Sequence, residues 1–84
     1  MTKIQILAEN GIHARPASKI VNIVKNAESE VFLIKDGKKH NAKSIMSILG
    51  MGIKKGDEIE IDVTGSDSNE IESKLIQIFK EENA

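Results

Sequence analysis

From Glu58 to Thr64 polar and apolar residues alternate without a break, with Glu58, Glu60 and Asp62 on one side and Ile59, Ile61 and Val63 on the other. A period of two describes a strand with one face in the core and the other in water. A solvated face points to an antiparallel sheet, because parallel sheets are covered on both sides. The helices of such a chain must each carry one apolar stripe to cover the remaining face. Ala17, Ile20, Val21, Val24 and Ala27 recur at that spacing, as do Ile71, Leu75, Ile78 and Phe79.

The other segments complete the sheet and its cover. Lys3 to Ala8 alternates, with Ile4 and Ile6 on one side, and Glu9-Asn10-Gly11 closes it with turn residues. Val31 to Lys35 is β-branched and aromatic. The Asp36-Gly37 pair that follows is a strong hairpin signal, so Lys38 to Ala42 reads as the returning strand, polar and near an edge. Ser44 suits the N-cap of a short helix from Ile45 to about Met51, and Gly52 suits its stop. Asp67 and Glu70 have the spacing of a capping box for a last helix. Glu81 and Glu82 oppose the dipole at the end of that helix, so its tail is expected to fray. The expected architecture is α+β: an open-faced β-sandwich of order βαββαβα, a four-stranded antiparallel sheet with three helices on one face, in one domain over residues 1–84.

Composition narrows the function. At 84 residues the chain exceeds the size at which a core usually needs disulfides or metals to hold it. It has no cysteine, which excludes disulfide, thiol-redox and zinc–thiolate roles. Phe32 and Phe79 are its only aromatic residues and the net charge is −1, so nucleic acid is not an expected partner. Met1 to Asn10 lacks the apolar run of a signal peptide, and no apolar stretch approaches the roughly 18 residues a spanning helix needs. These features lead us to expect a cytoplasmic protein without membrane insertion.

The chemistry concentrates in Gly11-Ile12-His13-Ala14-Arg15-Pro16-Ala17. Proline prefers the first helical position, which would make Arg15 the cap. Its missing N–H is harmless anywhere in the first turn, so the helix is placed from about Ala14 with His13 as the capping residue. A helix start carries unpaired N–H groups and the positive end of the dipole, and phosphate favours such a place. His13 supplies a nucleophilic nitrogen, Arg15 a planar fork of donors, and the first amides further donors for phosphate oxygens. The plainer alternative is a histidine that only caps a helix beside a solvated arginine.

The heptapeptide resembles the active-site signature of the HPr family, the histidine-containing phosphocarriers of the bacterial phosphoenolpyruvate-dependent sugar phosphotransferase system. Lys43-Ser44-Ile45-Met46-Ser47-Ile48-Leu49-Gly50-Met51-Gly52-Ile53 is similar to the regulatory-serine signature of the same family. The resemblance implies that His13 takes a phosphoryl group on Nδ1 from enzyme I and passes it to sugar-specific enzyme IIA domains. It implies that Ala14, Arg15, Pro16 and Ala17 surround the phosphate, with Arg15 and the backbone amides after His13 holding it. Ser44 would be the target of HPr kinase/phosphorylase, read by a catabolite-control transcription regulator. The expected protein is a carrier without independent turnover or a cofactor of its own, and a monomer. A regulatory paralogue in the family lacks the histidine, whereas this chain has it. Ser47 departs from the pattern, since many members carry glycine there.

Two further readings come from the residues themselves. Ile45, Met46, Ile48, Leu49 and Met51 point nearly all round a short helix, more than one small sheet can bury. Ile48 and Met51 are assigned to the core; Ile45, Met46 and Leu49 are assigned to partner docking, extended by Ile12. Lys19 and Lys43 are candidates for a wider positive rim, and His40 on its polar strand reads as solvated. A rival function, a small hydrolase using His13 as a base on free metabolites, requires a concave pocket beside that ring.

Overall fold

The computed structural model describes residues 2–84 and contains β1 (Thr2–Gln5), α1 (Ala14–Val24), β2 (Glu30–Lys35), β3 (Lys38–Asn41), α2 (Ile45–Gly50), β4 (Glu58–Thr64) and α3 (Ser68–Asn83). The sheet runs β1-β4-β2-β3 and every neighbouring pair is antiparallel. This is the expected open-faced sandwich.

Register explains the core. Ile59 lies opposite Ile4, Ile61 opposite Leu33, and Val63 opposite Val31, which aligns the inward residues of neighbouring strands. Against them α1 places Ile20 and Val24, α2 places Ile48, and α3 places Ile71, Leu75, Ile78 and Phe79, all in one buried cluster. Burying each such side chain contributes about 2 kcal/mol. Lys3, Gln5 and Glu58 on the other face are exposed. Phe32 and Ile34 also fall on that face, under a cover that alternation does not predict. The Lys39 ammonium sits 5.3 Å from the Phe32 ring centre and 3.5 Å from Asp62, so its stem shields the apolar strand.

The β2–β3 turn is the expected two-residue hairpin. Lys35 pairs with Lys38, and Asp36 and Gly37 have φ values of 52° and 77°, the left-handed pair of a type I′ turn.

Two expectations at the ends of α3 fail. Asp67 occupies the N-cap position but makes no capping hydrogen bond, and Glu70 pairs instead with Lys74 one turn on at 3.1 Å. The tail does not fray. The Asn83 side chain accepts the Leu7 and Ala8 amide hydrogens at 2.9 and 3.2 Å and donates to the Gln5 carbonyl at 2.9 Å. Glu82, expected to be unfavourable there, lies 3.6 Å from Lys19.

Candidate functional site

The site begins at Gly11. Its φ is +60°, and a Cβ there would overlap the Ile53 carbonyl oxygen and press on Lys54 Cα at 2.8 Å. Only glycine lets the chain lie this close to the segment between α2 and β4. The contact is sealed by the Ile12 amide, which donates to the same Ile53 oxygen at 3.3 Å. Ile12 is therefore drawn inward and is 6% exposed, which removes it from the docking patch expected of it.

His13 follows in extended conformation, φ −108° and ψ −167°, at the N-cap of α1. Its ring makes no capping bond, and the residue is exposed. The plainer alternative, a histidine occupied with capping, thus disagrees with the geometry. Of the next four residues, Ala14 and Arg15 are exposed while Pro16 and Ala17 are buried. The Ala17 amide already donates to the His13 carbonyl at 3.1 Å, and proline has no N–H to give. Of the four residues expected around a phosphate, Ala14 and Arg15 therefore have open backbone amides and Arg15 adds its exposed guanidinium, whereas Pro16 and Ala17 offer no open amide. Among the described residues Arg15 enters no ion pair. The positive rim is not extended by Lys19, whose charge faces Glu82, or by Lys43, whose ammonium donates at 3.1 Å to the Ala27 carbonyl, past the end of α1 opposite His13.

Ser44 caps α2 as its sequence suggests, its hydroxyl accepting the Ser47 amide hydrogen at 3.2 Å. Along α2 the two stripes separate. Ile48 and Met51 are buried at 1% and 7% exposure, whereas Met46 is 75% and Leu49 38% exposed. Ile45, expected among the docking residues, is half-buried and packs on the core.

A cavity of about 230 Å³ lies beside the hairpin, lined by Lys35, Asp36, Lys38, His40, Gly50 and Met51. Another of about 130 Å³ is lined by Glu30, Val31, Phe32, Asn41 and Lys43. Neither includes His13 or Arg15, so neither supplies the pocket that a hydrolase built on His13 requires.

Three contacts around this region escape sequence reasoning: the Ile53 carbonyl with Ile12, the Asn83 side chain with Leu7, and the Lys35–Asp57 pair at 3.0 Å. The one available hint is that Gly52 and Gly56 bracket the Ile53 segment, both at positive φ.

The family model described as the PTS HPr component phosphorylation site matches residues 1–81. The chain belongs to the HPr family. It is 39% identical to the HPr-like protein Crh of Bacillus subtilis (strain 168) over 80 residues, covering 95% of this chain and 94% of that one. The HPr-C-His structure from Thermoanaerobacter tengcongensis superposes with a TM-score of 0.89 at 33% identity, covering 98% of this chain and 92% of that one. HPr proteins are phosphocarriers rather than enzymes with turnover.

The expectation of a monomer is overturned by the solved HPr-family structures. Crh of Bacillus subtilis, with a TM-score of 0.77 at 37% identity over 100% of this chain and 97% of that one, forms a dimer with a swapped domain. HPr of Thermoanaerobacter tengcongensis, with a TM-score of 0.78 at 32% identity over 100% of this chain and 99% of that one, was also solved as a dimer. Apolar area counted on one chain does not reveal an exchange of elements between two chains, because the exchanged contacts are the same contacts.

Proposed function

We propose that this HPr-family protein accepts a phosphoryl group on Nδ1 of His13 from enzyme I and hands it to a histidine of sugar-specific enzyme IIA domains, in the cytoplasm. The reading rests on one observation: an exposed, uncapped imidazole at the start of α1, followed by the open Ala14 and Arg15 amides. The neutral ring attacks phosphorus through Nδ1, the bond to the donor nitrogen breaks, and the donor histidine keeps that electron pair. The new phosphoryl oxygens carry negative charge where two N–H groups, the helix dipole and Arg15 can accept it, so little rearrangement accompanies transfer. Met46 and Leu49 form the apolar part of the docking surface, and the contact is small enough to release quickly.

A regulatory role runs beside it, favoured by the 39% identity to the HPr-like protein Crh and by the position of Ser44 at the start of α2. A phosphate on the Ser44 oxygen, placed by an HPr kinase/phosphorylase, adds charge next to Met46 and alters docking more than folding. A transcription regulator would read that state.

Incubation with enzyme I and labelled phosphoenolpyruvate tests the carrier role. Acid-labile phosphate on His13, absent from His13→Ala, supports it. An unlabelled wild-type protein refutes it. Ser44→Asp slows labelling if the serine acts through docking, and labelling at the wild-type rate overturns that part.

A further inference from the structure

We propose that the Lys35–Asp57 pair is a positioning device for His13, acting through the Ile53 carbonyl that seats the backbone of Gly11 and Ile12. The proposal rests on the carrier reading for its consequence and on geometry alone for its mechanism.

Residues 51–57 connect α2 to β4 and contain Gly52 and Gly56 at φ values of 64° and 95°, so the backbone here has little conformational preference of its own. Its far end is fixed to Ile6, which accepts the Gly56 amide hydrogen at 2.7 Å and donates to the Asp57 carbonyl at 2.8 Å, and Lys35, at the end of β2, ties the near end to it. The ammonium donates to the Met51 and Gly52 carbonyls at 3.3 and 3.0 Å and meets the Asp57 carboxylate at 3.0 Å. The three donors of one ammonium therefore have three partners on one loop. Asp57 closes the other side: its Oδ2 accepts the Lys54 amide hydrogen at 2.8 Å, and its own amide donates to the Lys54 carbonyl at 3.0 Å. The side chains are 18% and 28% exposed, so water competes only partly for these bonds. The Asp57 carboxyl is held below its ordinary range, by the Lys54 amide first and by Lys35 second.

Ile53 lies between the two anchors. Its carbonyl receives the Ile12 amide at 3.3 Å and is the floor beneath Gly11. His13 is the next residue, with no side-chain capping bond of its own to fix it. If residues 51–57 shift, the seat of Gly11 and Ile12 shifts, and the ring moves relative to the Ala14 and Arg15 amides. A misplacement of this kind slows transfer without weakening docking, since Met46 and Leu49 stand on α2. Lys35 is thus a positioning residue, acting through the loop it binds.

The test compares Lys35→Met, Lys35→Arg and Asp57→Asn with the wild-type protein. Two readouts are needed: saturation kinetics of phosphorylation by enzyme I, and amide hydrogen exchange without any phosphate donor. In Lys35→Met, exchange at Ile12 should rise about tenfold while the Leu33 and Ile61 amides hold steady. The phosphorylation rate at saturation should fall about tenfold with KM unchanged, and Lys35→Arg, which keeps the charge and the donors, should restore it. Asp57→Asn should give the same pattern at smaller amplitude, and it decides the matter if Lys35→Met does not fold. A wild-type transfer rate in either folded variant overturns the proposal, as does a uniform rise in exchange across the sheet. A wild-type protein that enzyme I fails to phosphorylate refutes the carrier reading instead; the Ile12 exchange result then decides the positioning alone.

Discussion

Asp67 holds Ser29 from across the fold. Its Oδ1 accepts the Ser29 amide hydrogen at 3.0 Å and the Ser29 hydroxyl as well, and its Oδ2 accepts the Glu28 amide hydrogen at 2.9 Å. Ser29 is wholly buried just ahead of β2, and Gly65 at φ 153° leaves no space for a Cβ against it. One carboxylate thereby ties the α1–β2 connection to the start of α3.

That relationship sets part of the acid response. The Ser29 hydroxyl, then the Glu28 amide, hold the Asp67 carboxyl below its ordinary range, and the Lys54 amide and Lys35 do the same for Asp57. A carboxyl with a depressed folded-state value stabilises above its unfolded value of about 3.9, and that stability is lost as pH falls through the folded value. The urea midpoint should hold from neutral pH to about 5 and decline below about 4. Asp67→Asn should be less stable at neutral pH and approach the wild-type protein in acid. Parallel curves for the two proteins would contradict this.

Gly11→Ala should be costly at a position without any side-chain role. The left-handed backbone and the overlap with Ile53 together cost about 2–3 kcal/mol. Chemical denaturation measures the loss. Since His13 follows two residues on, labelling by enzyme I should slow as well.

Asn83→Ala removes three hydrogen bonds between the end of α3 and the last residue of β1 with the segment that follows it. We expect a loss of about 1–2 kcal/mol, the net worth of a few half-exposed bonds. Exchange at the Leu7 and Ala8 amides should accelerate first, which NMR can follow residue by residue.

Two neighbours on α2 should respond oppositely. Met46→Ser, at 75% exposure, should change stability by less than about 0.5 kcal/mol but raise KM for enzyme I. Ile48→Ala, at 1% exposure, should cost about 3 kcal/mol through the cavity it opens. Equal effects from both on stability would mean that the two stripes of α2 are not separate.

Sequence alone determined the features that depend on near neighbours. Alternation in Glu58 to Thr64, the single stripes of α1 and α3, the Asp36-Gly37 hairpin and the placing of His13 and Arg15 at a helix start all follow from period and spacing. Tertiary structure decided whatever needed a partner far along the chain. Asp67 has the pattern of a cap, yet it finds donors 38 and 39 positions away that satisfy it better. Asn83 ends a helix that charge alone would fray, because carbonyl and amides 75 to 78 positions back complete its bonds. Ile12 is apolar beside an exposed site, and only the Ile53 carbonyl shows that it turns inward. Periodicity records which face of an element is apolar; it carries no record of which distant polar group will meet a given carboxylate, amide or ammonium, since that meeting exists only once the layers have packed.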